Sequence, residues 1–585
     1  MSAPERRSVH VATVSKTYKG KTYTSVLLRR TYRENGKVKH ETLGNLSDLP
    51  ADVIDFMRKR LAGELEESAP SGTFEIVRSL PHGNVAAVLR TARNIGLEKL
   101  IASRSCRERD LILALIVSRL ISPGSKLSAC AGLGTETAQN TLCEELQLGK
   151  VDVHELYAAM DWLLERQTRI EGKLAKKHLT GGLLVLFDVS SSYYTGRKST
   201  LVQHGYSRDH RGDRPQIVYG LLCDPEGRPI AVEVFPGNTA DPKAFSQIVQ
   251  RVRKRFGIER VVFVGDRGMI TSARIREDLR DVDGLDWISA LRSEGVRKLV
   301  DSKLIQQSLF DERDLAEIVS EDFPGERLIV CRNPILADER ARKRDELLQA
   351  TERKLEPIRR ATLRKKNPLR GKGNIGLRVG KVIGQYKMEK HFELTITDDS
   401  FTYTRREENI AAEAMLDGLY VVRTSVAEEV MGADRVVQTY KSLSRVERAF
   451  RSMKTVDLQL RPIYHHKDDR IRSHVFVCML AYYVEWHMRE RLREVLFEDC
   501  DRESAQAARL SAVAPAMRSN TAKRKDATRR TASGHPVQSF QDLLKDMATI
   551  TRNRIRISEY GAEYNKLTSP TDYQRRVLEL LDAKL

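Results

Sequence analysis

The sequence lacks a long apolar run and a paired cysteine motif. Its longest apolar stretch, Leu111 to Leu120, is too short to cross a bilayer and contains Arg119. No apolar signal core follows the first residues, so we expect a cytoplasmic protein with no membrane partner. The seven cysteines are scattered, and none form a C-x-x-C pair. They are expected to be reduced thiols, and neither a zinc site nor a disulfide framework is indicated.

Basic residues outnumber acidic ones. The chain has 100 Lys and Arg against 80 Asp and Glu, a formal charge of +20. Such an excess suggests a polyanionic partner, although charge alone determines neither fold nor reaction. With 585 residues, the chain is long enough for several domains with large buried cores.

Two aspartates follow short apolar runs that are typical of buried strands. Residues 183–187 lead into Asp188, and residues 261–264 lead through Gly265 into Asp266. Ligands of open α/β sheets bind at the carboxyl ends of the strands, so acids on adjacent strands would share one crevice. Each aspartate alone is more typical of a turn or a helix cap. As a matched pair they indicate a divalent-metal site.

A third carboxylate, Glu447, lies in a stretch without Gly or Pro from Tyr440 to Lys454, which we predict to be one helix. Tyr440, Glu447 and Lys454 recur every seven residues and would form one stripe. An apolar stripe of Val446, Phe450 and Met453 would dock the helix on a core. Taken alone, the segment is better explained as an ordinary amphipathic surface helix. The two upstream aspartates favour a helix that closes a metal site.

Several of these segments together resemble the bacterial insertion-sequence transposases of the DDE class, which share the retroviral-integrase and ribonuclease-H fold. The resemblance runs through residues 186–190, 204–211, 216–222, 227–230, 235–241, 264–269 and 440–454. One branch of the class carries Tyr, two residues, Arg, three residues, Glu, six residues, Lys. This chain matches at Tyr440, Glu447 and Lys454 but has Leu443 at the arginine position, so Arg445 is a candidate substitute from a nearby turn.

The resemblance implies a fold and a reaction. The expected fold is an α/β ribonuclease-H-like catalytic core with a mixed α/β insertion before the Glu447 helix, preceded by a small β unit and a helical domain. Asp188, Asp266 and Glu447 would be catalytic and would hold two Mg²⁺ ions, with Mn²⁺ expected to substitute. The enzyme would cleave double-stranded DNA at the terminal inverted repeats of an insertion sequence and join the ends to target DNA. A homodimer and association with the bacterial nucleoid are also implied.

A dense basic loop lies between the first two core strands. It carries Arg197, Lys198, His204, Arg208, His210, Arg211 and Arg214, and it would lie beside the metal site where DNA phosphates must pass. The alternative is a solvated loop. The candidate DNA contacts, in the loop and elsewhere, are Tyr440, Lys454, Arg445, His204, Arg208, Arg211 and Arg267.

Composition and motif spacing predict six segments. Residues 1–70 would form a small basic β-sheet unit with a hairpin at Asn35-Gly36, and residues 71–180 a helical domain that is a candidate for binding DNA ends. The core would comprise residues 181–298 and 416–498. Between its parts, residues 299–415 would be an insertion with a long charged helix over about 336–366, broken or kinked at Pro357, a basic Gly-rich loop over 367–384, and short strands. Residues 499–585 would be a mobile basic linker, mainly 502–536, and a small C-terminal unit.

Two other function classes are compatible with the same residues. A ribonuclease-H-fold nuclease would need the same acids but would cut DNA without joining it. A catalytically silent DNA-binding regulator would keep the basic surface without needing the acids. Joined products distinguish the transposase from the first alternative, and cleavage distinguishes it from the second.

Overall fold

The computed structural model describes residues 8–18, 21–34, 37–62, 74–179, 184–196, 198–256, 260–280, 282–310, 313–509, 511–557 and 563–585. The chain divides into two compact units. The smaller unit comprises residues 1–79 and 552–568, and the larger comprises residues 80–551 and 569–585. In the described part of the chain, no single helix is long and apolar enough to cross a membrane. Two helices, Arg107–Ile121 and Lys126–Leu133, reach that length and apolarity when they are combined, but they meet at an angle of 104°.

The smaller unit is mainly β-sheet. One three-stranded antiparallel sheet consists of β1 (Ser8–Tyr18), β2 (Lys21–Glu34) and β3 (Lys37–Asn45), followed by helix α1 (Ala51–Ala62). A second sheet has the order β16-β15-β4, with β4 at Phe74–Pro81, β15 at Thr551–Ile557 and β16 at Glu563–Leu567. The strands predicted within residues 8–46 are confirmed. The predicted Asn35-Gly36 turn lies outside the described residues.

The larger unit begins with helices, as the apolar periodicity predicts. They are α2 (Gly83–Asn94), α3 (Leu97–Ile101), α4 (Arg107–Ile121), α5 (Lys126–Leu133), α6 (Leu142–Glu145), α7 (Val153–Glu165) and α8 (Gln167–His178). Helix α4 buries all of residues 111–117, because helices pack on several of its sides.

An eight-stranded mixed sheet forms the centre of the larger unit. Its strands are β5 (Leu184–Tyr193), β6 (Gln216–Cys223), β7 (Pro229–Pro236), β8 (Val261–Val264), β9 (Leu285–Ala290), β10 (Leu315–Ile318), β11 (Arg327–Arg332) and β14 (Leu419–Thr424). Their order is β10-β11-β14-β9-β8-β5-β6-β7. Strands β5, β8 and β9 are parallel, and the other neighbours are antiparallel. The connecting helices are α9 (Asp241–Phe256), α10 (Ser272–Arg274), which continues as a π-helical turn at Ile275–Leu279, and α11 (Ser293–Asp301).

The predicted insertion contributes to two different layers. Strands β10 and β11 extend the central sheet, whereas the following residues form α12 (Pro334–Thr362), α13 (Lys372–Tyr386), β12 (Phe392–Ile396), β13 (Phe401–Arg405) and α14 (Glu407–Ala414). These later elements bury small apolar cores of their own. The break predicted at Pro357 is absent, since α12 continues through this residue to Thr362.

The Gly-rich loop predicted over residues 367–384 is wrong, because most of it is helix α13. Ile375, Val379 and Ile383 recur every four residues and are buried against Leu355 and Ile358 of α12. Burial of this stripe outweighs the low helix propensity of the intervening glycines.

The remaining helices are α15 (Ala433–Lys441), α16 (Ser444–Arg451) with a π-helical turn at Ser452–Val456, α17 (Asp468–Arg491), α18 (Arg502–Ala507), α19 (Asn520–Thr528), α20 (Phe540–Ala548) and α21 (Asp572–Leu581). The described part of the segment expected to be a mobile linker contains helices α18 and α19 and is anchored to the residues before it. Lys525 is buried and its Nζ donates to the carbonyls of Arg493, Leu496 and Glu498 at 2.7, 2.8 and 2.6 Å. The polar composition of this segment gave no indication of these contacts.

Candidate active site

The strand register brings Asp188 and Asp266 side by side. Parallel strands β5 and β8 pair Leu184 with Val262 and Leu186 with Val264, so Asp188 and Asp266 each lie two residues beyond the last pair. The prediction that both strands deliver an acid to one crevice agrees with this arrangement. Strand β5 continues past Asp188 to Tyr193, because β6 pairs with it over that whole length.

The two aspartates are held by backbone N–H groups. The Asp188 carboxylate accepts a hydrogen bond from its neighbour Val189 N at 2.8 Å. Asp266 Oδ1 accepts from Gly268 N and Met269 N at 2.6 and 2.9 Å, which fixes the loop after β8. Asp266 therefore also stabilises the turn after β8, which is the role expected of an aspartate that simply caps a turn.

Asp188 lies in an electrostatically unfavourable position for a carboxylate. Burial, aided by the nearby carboxylates of Asp266 and Glu447, raises its pKa to about 7 against the opposing effects of the Val189 N–H and Arg208. The side chain retains some solvent exposure, as expected at the floor of a crevice. Within the described residues, Asp188 forms no ion pair. The site thus brings Asp188 close to two other carboxylates without an ion-pair partner for it among the described residues.

The predicted single helix from Tyr440 to Lys454 is wrong in detail. Tyr440 lies on α15, Glu447 on α16, and Lys454 in the π-helical turn that follows. At the break, the Ser442 hydroxyl donates to Thr439 O at 2.6 Å, and Val446 N donates to Leu443 O, a shorter-range bond than an α-helix makes. The helix is therefore interrupted by a serine that competes for backbone carbonyls.

The apolar side of α16 holds Glu447 over the sheet. Val446, Phe450 and Met453 are buried, as predicted. The Phe450 ring packs edge-on against Tyr219 of β6, with ring centroids 5.6 Å apart. The π-helical turn is anchored to α17, because Ser452 Oγ donates to Glu485 at 2.5 Å and Glu485 pairs with Arg489 at 2.6 Å.

Tyr440 belongs to the same electrostatic neighbourhood as the acids. Burial raises its pKa to about 12, helped by the carboxylates of Asp266, Glu447 and Asp188 and opposed by Arg267. At neutral pH the phenol is protonated and can donate a hydrogen bond. Leu443, at the position where the resembling branch has arginine, packs against the apolar core instead.

Lys454 points toward the strand that carries Asp188. Its Nζ donates to Ser190 Oγ at 3.0 Å and forms an ion pair with Asp209 at 2.8 Å. Asp209 also pairs with Arg461 at 3.0 Å and accepts from Tyr193 N at 3.2 Å. The sequence analysis did not identify Asp209 and Arg461. The available signal was that Asp209 is a single acid within the basic run 204–211.

The other predicted DNA contacts have different surroundings. Arg208 Nη2 donates to both carboxylate oxygens of Asp241 at 2.6 Å, and Arg211 pairs with Asp213 at 3.0 Å. Arg445 donates to Pro225 O across the β6–β7 turn. His204 and Arg267 are exposed. Arg197 lies outside the described residues.

The three carboxylates do not form a ready-made ligand set. In the described part of the chain, no three His, Cys, Asp or Glu side chains converge closely enough to hold a metal ion as they stand. The donor chemistry nevertheless suits a hard divalent cation, since all three groups are carboxylates and the buried one has no counterion.

Comparison with known protein families identifies the family of this chain. Residues 181–484, more than half of the chain, match the model of the transposase DDE domain. Residues 11–72 match the model of the N-terminal domain of IS1634 family transposases. No curated protein matches the chain.

One similar solved structure is a cryo-EM structure of piggyBac transposase in a synaptic complex with hairpin DNA. It shares 9% sequence identity over 80% of this chain and 76% of that chain, with a TM-score of 0.32. A likeness this distant adds nothing to the family models, which cover both the core and the N-terminal segment. The chain therefore belongs to the DDE transposases of insertion sequences.

Proposed function

We propose that Asp188, Asp266 and Glu447 are the catalytic carboxylates of this transposase and hold two Mg²⁺ ions, for which Mn²⁺ substitutes. The observation that carries the proposal is the register of β5 and β8, which aligns Asp188 with Asp266 while Glu447 acts on Asp188 from α16. The sheet order β7-β6-β5-β8-β9 is consistent with a ribonuclease-H-like core. Bound divalent ions would activate the attacking oxygen and stabilise the departing one.

The reaction proceeds in two displacements at phosphorus. In the first, a water oxygen bonds to phosphorus at the element's terminal repeat as the bond to the 3′ oxygen breaks, leaving a 3′-hydroxyl and a 5′-phosphate. In the second, that 3′-hydroxyl bonds to a target phosphorus, and the target's 3′ oxygen leaves. No bond to the protein forms in either step.

The remaining side chains of the crevice position DNA. Tyr440, protonated at neutral pH, donates to a phosphate oxygen near the acids. Arg267 and His204 are exposed and free to reach the backbone of double-stranded DNA. Lys454, Arg208 and Arg211 are held by Asp209, Asp241 and Asp213, so a phosphate must compete with these carboxylates or share the cations with them.

The basic insertion extends the DNA surface away from the crevice. Its exposed cations include Arg364, Lys365, Lys366 and Lys372, which lie between the end of α12 and the start of α13. Phosphate contacts of this kind position DNA without reading its sequence. The helical segment 71–180 and the N-terminal sheet are assigned to recognition of the element's ends, and two copies of the chain hold the two ends together.

The test incubates purified protein and Mg²⁺ with labelled duplexes that carry the element's ends and with supercoiled plasmid. Wild type is compared with Asp188→Asn, which keeps the side-chain shape, and with Asp301→Asn, an exposed aspartate at the end of α11. We expect end-specific nicks and joined products from wild type and Asp301→Asn, and neither from Asp188→Asn. Cutting without joining would identify the nuclease, and bound but uncut DNA would identify the silent regulator.

A further inference from the structure

A second charged site lies behind the catalytic helix. An open cavity of about 910 Å³ is lined by residues of α15, α16, α17, the β6–β7 turn and the segments 498–509 and 515–516; we call it the arginine cavity. None of Asp188, Asp266, Glu447, Tyr440 or Lys454 lines it. It is therefore separate from the acidic crevice, although both share α16.

The cavity wall is strongly basic. Seven of its lining residues are Lys or Arg, and three are Glu. Arg445, Arg448 and Arg451 occupy successive turns of α16, about 4.5 Å apart along the helix axis. Cations repeated along one helix in this way can face a ligand that presents anionic groups in series.

Four of the cations have no carboxylate partner. Within the described residues, Lys441, Arg445, Arg451 and Arg509 form no ion pair. Lys441 donates to the carbonyls of Ala512 and Ala514 at 2.9 and 3.1 Å, and Arg509 donates to Ala514 O at 2.7 Å. Backbone carbonyls orient these cations but leave their charge uncompensated.

The other three cations are paired with acids. Arg489 is surrounded by Glu485, Asp457 and Glu498, and Arg502 pairs with Glu490 at 3.0 Å. Arg448 approaches Glu498 only to 3.8 Å. Glu226, the remaining lining acid, pairs with Arg228 and not with a cation of the wall. The carboxylates therefore neutralise cations mainly on one side of the cavity, and the α15–α16 side remains positive.

The unpaired cations repel one another. Burial and then the charge of Arg509 lower the pKa of Lys441 to about 8. Such crowding costs free energy that a bound anion would recover.

The turn at Gly227 is shaped around Arg445. Gly227 has φ +85°, and a Cβ there would lie 2.8 Å from Arg445 Cβ. Glycine therefore allows Arg445 to approach the turn and donate to Pro225 O. Trp486 completes this wall, with its indole N–H donating to Glu226 O at 3.2 Å, and offers an aromatic surface.

We propose that the arginine cavity binds a ligand with two or more phosphate groups and an attached base. Arginine forks match phosphate oxygens bidentately, and the aromatic wall suits a nucleobase. The cavity volume accommodates a nucleotide-sized ligand. Two sources offer this chemistry: consecutive phosphates of a nucleic-acid strand, and a free nucleoside polyphosphate.

The experiment measures binding by titration calorimetry in EDTA, so that no ion occupies the acidic crevice. The probes are ATP, inorganic pyrophosphate and a single-stranded oligonucleotide of about 10 nucleotides. The test variant is Arg448→Gln/Arg451→Gln. The control, Lys545→Gln/Arg575→Gln, removes the same charge from exposed positions on α20 and α21.

We expect the cavity variant to bind one probe class about tenfold more weakly or worse, and the control to bind like wild type. Selective loss of ATP and pyrophosphate assigns the site to a free nucleotide. Selective loss of the oligonucleotide assigns it to a strand. Equal loss in cavity and control variants, or no binding by wild type, overturns the proposal.

Two further variants keep the result interpretable. Arg448→Lys/Arg451→Lys retains both charges but not the guanidinium forks, and an intermediate loss is expected even if the Gln variant folds poorly. Asp188→Asn should bind every probe as wild type does. Ligand binding in the arginine cavity is therefore tested independently of the proposed reaction at Asp188.

Discussion

The two sides of α16 differ in the charge that the protein leaves uncompensated. On the Glu447 side, burial and the nearby carboxylates of Asp266 and Glu447 raise the pKa of Asp188, and the described residues supply Asp188 with no ion-pair partner. On the Arg445 side, four cations lack a carboxylate partner among those residues. Elsewhere, buried charges such as Arg423 and Glu326 are paired at 2.5 Å. The two proposals assign an external partner of opposite sign to each side, a divalent cation to the Glu447 side and phosphate groups to the Arg445 side.

The largest expected effect comes from removing a carboxylate on the Glu447 side of α16. Asp188→Asn should lower the rates of cleavage and strand transfer by about a thousandfold or more, since the central ligand for the divalent ions is lost. Binding of end-containing duplexes should be retained, because the cations remain. Gel-based cleavage and mobility-shift assays measure both. Cleavage within tenfold of wild type would disprove the assignment.

A matched pair of substitutions distinguishes a structural cation from an unpaired one. Arg489→Met leaves Asp457, Glu485 and Glu498 without their shared partner, so we expect a loss of about 3–5 kcal/mol in unfolding free energy. Arg451→Met removes a cation with no ion pair, and a change within about 0.5 kcal/mol is expected. Urea unfolding of both variants measures the difference. Equal losses would show that Arg451 is structural.

A third cation cluster, closed to solvent, extends the comparison to pH. Lys126 of α5 is buried beside Arg119, donates to His474 Nδ1 at 3.1 Å and lies near Cys478. Burial and Arg119 lower its pKa from 10.5 to about 7. Between these values the unfolded chain binds the proton and the folded chain does not, so stability rises with pH and is lost as pH falls toward 7.

We therefore expect wild type to gain up to about 2 kcal/mol in unfolding free energy from pH 7 to pH 9. Lys126→Met should lose most of this gain. Urea unfolding of both proteins at the two pH values tests it, and parallel pH dependence would contradict the assigned role of Lys126.

The smallest effect concerns ion binding without turnover. Excess Mg²⁺ should raise the melting temperature of wild type by about 2 °C or more through preferential binding to the folded state. Asp188→Asn should show a smaller shift, and Arg448→Gln/Arg451→Gln the full shift, because its changes lie on the other side of α16. An equal shift in all three proteins would place the ion elsewhere.

Local sequence was sufficient to identify the acids and their strands. Short apolar runs ending in Asp188 and Asp266 predicted two buried strands, and the structure pairs these strands in parallel. The apolar stripe of α16 was equally readable, since Val446, Phe450 and Met453 follow helical spacing and are buried. Both signals are local patterns of apolar residues, which can be recognised without knowledge of tertiary contacts.

Other features depended on contacts between distant segments. Helix α13 forms despite its glycines because α12 covers its apolar stripe, and the basic segment 502–536 is anchored by the carbonyl of Arg493 and the carboxylate of Asp499. Pairing of Lys454 with Asp209 and Arg461 likewise joins separate loops.

By itself, the sequence determined the family, the core strands and the three candidate carboxylates, because these rest on local composition and spacing. Only the tertiary structure decided which charges are neutralised. An ion pair depends on the distance between side chains that are remote along the chain, so Arg208 and Arg489 could not be distinguished from Arg267 and Arg451 until the fold placed their partners.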